Sequence, residues 1–221
     1  MRRAGSLAVV LLAAAVVAAA ALAADSTDPK IKLSKADQAR AKAAVLRFTD
    51  LGSAWTGGAE NPKSLKIPIC PANVPNDHDL TITGHAESAL SLSSAAINVD
   101  TDVEVFKTAA QVAKLATRVF QPVQLAACLK YDLEKSIAGP TATVTGVAAI
   151  PVAKAGDRTS LYRATVAVKS GKKTVPVYSD FLFVSKDRSQ FFVNIVAPGS
   201  MKTELPSLEN GIAKLLASRG I

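Results

Sequence analysis

From Ile97 to Val105 the chain alternates with a period of two. Ile97, Val99, Thr101, Val103 and Val105 fall on one face of a strand, and Asn98, Asp100, Asp102 and Glu104 on the other. This is the pattern of an antiparallel sheet that buries one side. At Thr108 the period changes. Thr108 and Gln111 have the spacing of a capping box, and Val112, Leu115, Ala116, Val119 and Phe120 recur at helical spacing. Pro122 fits the first turn of a second helix. Leu125, Cys128, Leu129, Leu133 and Ile137 lie near one side of it, and Gly139-Pro140 stops it. The stretch Ala96–Cys128 is therefore predicted as a scaffold of one strand and two helices.

The C-terminal half reads as a meander. Strands are predicted over Thr141–Ile150, Asp157–Val168, Lys173–Val184 and Gln190–Val196, with a hairpin turn at Ser170-Gly171-Lys172. Pro176 implies an edge position or a bulge near the start of its strand. A last helix begins near Pro206 and uses Leu208, Ile212, Leu215 and Leu216, with Gly220 placed as its C-terminal cap. Towards the N-terminus, Ser34 and Asp37 resemble a capping box for a helix running to about Phe48. Trp55 follows in a turn closed by Gly57-Gly58. Its simplest role is a plug over the core edge, with ligand stacking as the alternative. Residues 59–84, with Pro62, Pro68, Pro71 and Pro75, read as irregular coil, and His85–Leu92 as a strand.

The first two dozen residues stand apart from this pattern. Arg2 and Arg3 precede an unbroken Leu, Ala and Val run from Leu7 to Ala21, and Ala21-Leu22-Ala23 fits small-x-small cleavage. Residues 1–23 are thus expected to be a secretory signal peptide, with a retained N-terminal anchor as the alternative, residues 24–33 a flexible leader, and residues 34–221 a single α+β domain. No membrane span is expected after cleavage. A domain of this size can bury a core without a metal. In an exported chain the two cysteines, Cys70 and Cys128, are expected to form one disulfide rather than a nucleophile.

The formal net charge is +8, of which Arg2 and Arg3 supply two, leaving about +6 after cleavage. Lysines and arginines are scattered and not interleaved with aromatic residues, so nucleic acid is not indicated. The hydrolase and phosphate-loop motifs G-x-S-x-G, H-E-x-x-H and glycine-rich P-loop do not occur in a usable setting. The acidic row Asp100, Asp102, Glu104 offers hard-cation ligands, but alternate strand residues lie about 7 Å apart, so the row reads as a solvated face. Asn76-Asp77-His78-Asp79, with His85 and Glu87 nearby, gathers both histidines of the chain. As one flexible stretch it reads as a polar loop rather than a zinc site. Arg163, with Tyr162 and Tyr178 on neighbouring strands, is a candidate lining for an anionic-ligand pocket, together with Trp55 as a cleft residue. Core packing explains the tyrosines equally well.

Asp50-Leu51-Gly52 with Trp55, the strand-to-helix run Val99, Val103, Val105-Phe106-Lys107-Thr108-Ala109, then Cys128-Leu129, Tyr162-Arg163 and Asp180-Phe181-Leu182-Phe183-Val184 resemble exported actinobacterial proteins related to the extracellular sensor domain of PknH-type kinases. The resemblance implies an antiparallel sheet flanked by helices with a cleft. Those domains commonly carry two disulfides, and this chain has cysteines for one. The expectation is an α+β domain, mainly an antiparallel twisted sheet with packed helices. Its function is expected to be that of a non-enzymatic, sensor-like binding domain, secreted or in the cell envelope, without a cofactor or metal. Its partner would be a small molecule or an envelope component. The alternative is a secreted hydrolase with its site around Asp77, His78, His85 and Glu87.

Overall fold

The computed structural model describes residues 28–60, 70, 76–119, 121–137 and 141–220. The expected signal peptide, most of the proline-rich coil and the Gly139-Pro140 stop lie outside the described residues. The elements are β1 (Lys30–Ile31), α1 (Lys35–Ala44), α2 (Phe48–Leu51), β2 (Thr56–Glu60), β3 (Thr81–Leu92) and β4 (Ile97–Phe106). They continue with α3 (Ala109–Val119), α4 (Pro122–Ser136), β5 (Ala142–Ala149), β6 (Arg158–Ser170), β7 (Lys173–Lys186), β8 (Ser189–Pro198) and α5 (Leu205–Arg219). Among the described residues, the eight strands form one sheet in the order β1-β3-β4-β8-β7-β6-β5, with β2 also pairing β3. All pairings are antiparallel except β1 with β3. The expected α+β architecture is present.

Period-two alternation sends neighbouring residues to opposite layers. On one face Val99, Val103, Leu161, Leu182, Val184, Phe191, Val193 and Ile195 form a core with Ala41, Leu46, Trp55, Ile212 and Leu216, under α1 and α5. On the other, Tyr162, Ala164, Val166 and Phe181 pack against Ala116 of α3 and Leu125, Leu129 and Leu133 of α4. A third group joins Leu80, Ile82 and Phe106 to Val112 and Leu115. Both faces of the sheet are therefore covered in part, and the polar face expected on β4 is not a free surface along its length.

Several local expectations change. Lys30 and Ile31 pair with Thr81 and Ile82, so the sheet begins inside the expected leader. The first helix stops at Ala44 because Val45 turns to an extended conformation, which buries Leu46. Ser34 does cap that helix, accepting the Asp37 N–H at 3.1 Å. Its own N–H goes to Thr83, and Asp37 turns to Arg188 instead. Thr56–Glu60, expected as turn and coil, is a strand on the β3 edge. Pro176 pairs with β6 alone, because the ladder to β8 begins at Val177, and Gly199 packs against it beyond the end of that ladder. Gly220 is extended rather than left-handed. It is a glycine for a different reason: a Cβ there would come within 2.4 Å of the Lys186 side chain.

No described helix is long and apolar enough to cross a membrane. The Cys70–Cys128 disulfide is present, with Cα atoms 5.2 Å apart, and ties α4 to the segment between β2 and β3.

Candidate functional site

Strands β3 and β4 pair with His85 opposite Glu104 and Glu87 opposite Asp102. These four residues share one face of the sheet. Directly opposed residues lie closer than alternate residues on one strand, and a long side chain also reaches its diagonal neighbour. His85 uses that reach. Its Nε2 stands 3.0 Å from Asp102 Oδ1 and 3.4 Å from Glu87 Oε1. The imidazole is 2% exposed, while Glu87 and Asp102 keep an open side. The row along β4 stays spread, but one member, Asp102, meets His85 and Glu87 once β3 is laid beside it.

The backbone that carries His85 is held from outside the sheet. Its N–H donates to Gln38 Oε1 of α1 at 2.7 Å. The β3–β4 register shifts between Ile82 and Gly84, and Gly84 lies so near α1 that a Cβ would stand 2.3 Å from the Asp37 carbonyl oxygen. Arg188 fixes the same corner by donating to Asp37 Oδ2 at 2.7 Å and to the Phe106 carbonyl at 2.9 Å. Burial opposes ionisation of Asp37, but hydrogen bonds from Thr83 and Arg188 and the charge of Arg188 hold its carboxyl below the ordinary value.

The electrostatics of the cluster follow from burial and crowding. At His85 burial works against the charged imidazole. The Asp102 hydrogen bond and the charges of Asp102, Glu104 and Glu87 outweigh it and move the pKa up. Glu104 is pushed up to about 8 by burial of its carboxyl and by the charge of Asp102, with Asp77 adding to the effect. Asp77, on the segment leading into β3, is 1% exposed and raised by burial against the pull of Arg118.

The Asn76–Asp79 stretch is docked rather than loose. Arg118 of α3 donates to Asp77 Oδ1 at 2.9 Å and to Asp79 Oδ1 at 2.7 Å, and Lys114 also binds Asp79. These cations hold the Asp79 carboxyl well below its usual range. His78 is exposed and faces the Asn76 side chain. Of the four residues grouped around a hydrolase site, the structure joins His85 to Glu87, gives Asp77 to Arg118 and leaves His78 at the surface.

The expected cleft residues do not line one cleft. Trp55 is buried in the α1/α5 core, where it plugs the edge. Tyr162 packs beneath α4, and its neighbour Arg163 necessarily points to the other face. There Arg163 forks onto Asp180 at 2.7 and 2.6 Å, reaches Glu209 of α5 at 2.8 Å, and lies 4.8 Å from the Tyr178 ring centre. The Asp180 carboxylate already pairs with this guanidinium and Glu209 takes a further contact, so Arg163 is engaged within the chain. Burial, the hydrogen bond that protonated Glu209 donates to the Asp180 carboxylate, and the charge of Asp180 push Glu209 up to about 8, against Arg163.

The chain matches no known protein family, and no curated protein is similar to it. Among solved structures it is similar to an uncharacterised protein of Mycobacterium smegmatis, the Rv0999 ortholog, at 13% identity and a TM-score of 0.40. That likeness covers 82% of this chain and 98% of the other.

Proposed function

We infer that this chain is an exported, non-enzymatic binding domain whose recognition face is the polar strip of β3 and β4, and that its ligand is cationic. The observation that carries this reading is the convergence of His85, Glu87 and Asp102 around one point, with Glu104 beside them. The chain as a whole is basic, at +8. The partly open Glu87 and Asp102 carboxylates are thus a local concentration of negative charge, and such a spot favours a cation. Export is supported by the signal-like N-terminus and by the disulfide, a bond that persists in oxidising compartments. Binding without turnover is favoured because the nearby Ser88 lies on the opposite face of β3 from His85.

Equilibrium dialysis tests the reading. The oxidised chain and the double variant Asp102→Asn, Glu104→Gln are dialysed against fractionated culture medium, and retained small molecules are read by mass spectrometry. The wild type is expected to retain a cationic species that the variant does not. Equal retention by both proteins places recognition elsewhere.

A further inference from the structure

We propose that His85, Glu87 and Asp102 form a binding site for a divalent d-block cation of the zinc, cobalt or manganese type. This deepens the inferred cationic recognition face and rests on it.

The ligand atoms are one imidazole nitrogen and two carboxylate oxygens, all within 4.8 Å of one another. A tetrahedral ion with bonds of about 2.0–2.1 Å separates its ligand atoms by about 3.3–3.4 Å. His85 Nε2 stands 3.4 Å from the Glu87 oxygen, which is the required length, and 3.0 Å from the Asp102 oxygen, an edge that has to open slightly. The remaining edge lies between Glu87 and Asp102. Both are partly exposed, so their carboxylates can turn without disturbing the core.

The donor set also selects the ion. Magnesium and calcium take oxygen ligands, usually six or more. A site with one imidazole and two carboxylates suits zinc and its neighbours. Thiolate chemistry does not contribute, since both cysteines are in the disulfide. Three protein ligands leave a position open to water or to a ligand group. The ligands sit on two paired strands whose register is set by a full ladder, and His85 is further held through its N–H by Gln38. A site on rigid strands needs little ordering when the ion arrives.

The Asn76–Asp79 stretch is the competing location. Its carboxylates are bound by Arg118 and Lys114 and its histidine by Asn76, so an ion there would have to displace cations of the chain.

The test is calorimetric titration of the oxidised full chain with zinc, cobalt and magnesium chlorides. Zinc and cobalt are expected to bind once per chain, with cobalt giving the visible absorption of a nitrogen- and oxygen-ligated ion, and magnesium far more weakly. Asp102→Asn and Glu87→Gln each lower zinc affinity at least as much as loss of an outer-shell partner does, about tenfold. His78→Ala leaves affinity unchanged. Both carboxamide variants keep side-chain shape, so their folding is checked by circular dichroism even if His85→Ala fails to fold. No zinc binding, or binding that survives the carboxamide variants and falls in His78→Ala, overturns the proposal. Failure here with a retained cationic small molecule in the dialysis leaves the recognition face standing and removes only the metal.

Discussion

His85 Nε2 lies 3.0 Å from Asp102 Oδ1, although 17 residues separate them in the chain. The contact is diagonal across the β3–β4 ladder, and it brings one carboxylate from each strand, Asp102 and Glu87, to a buried imidazole. The two histidines should therefore differ in their weight for stability. His85→Ala is expected to cost about 1–3 kcal/mol, and His78→Ala less than about 0.5 kcal/mol. Urea unfolding of the two variants checks this. Equal effects would mean that His85 is not packed as described.

The disulfide closes 58 residues, a span for which chain entropy gives about 4 kcal/mol. The double variant Cys70→Ser, Cys128→Ser should lose stability of that order, and reduction of the wild type should bring the two to the same midpoint. Denaturant curves with and without reductant measure it. A midpoint that ignores reductant contradicts the tie between α4 and the Cys70 segment.

Glu209 predicts a pH dependence. Its folded pKa, about 8, lies above the ordinary carboxyl value of 4.5. The native state then holds a proton that the unfolded chain has released, so this group's contribution is whole below about pH 4.5 and is lost as pH rises towards 8. Glu209→Gln mimics the protonated form beside Asp180 and Arg163. The stability of wild type relative to that variant should fall from pH 5 to pH 8 and then level off. Thermal unfolding across this range checks the sign, and a rising difference would refute the assignment.

Gly84 lies against α1, with an added Cβ 2.3 Å from the Asp37 carbonyl. Gly84→Ala should force α1 and β3 apart and cost about 1–3 kcal/mol, as overpacking usually does. The measurement is again the unfolding midpoint. Gly58→Ala on β2 is the control, since a Cβ there meets nothing within 4 Å.

The fold was largely legible because alternation and helical stripes report burial locally. Val99–Val105 and the Leu125–Leu133 stripe needed no partner to be recognised. The two cysteines likewise paired by compartment logic. What stayed hidden depends on register. Asp102 and Glu87 look unrelated until β3 is placed beside β4, and Tyr162 and Arg163 look like neighbours although a strand sends them to opposite faces. One signal was available. Glu209 falls at helical spacing among Leu205, Ile212, Ala213 and Leu216, so a charge stood on a buried stripe and implied a cationic partner in the sheet.

Paramagnetic broadening tests the cation-binding face most directly. Substoichiometric manganese chloride is added to the isotopically labelled, oxidised chain, and loss of amide signals is mapped by residue. Early loss is expected for residues 84–88 of β3 and 101–105 of β4, with signals around Arg163 and Glu209 preserved. Loss centred on residues 76–79, or scattered evenly over the acidic surface, would contradict it.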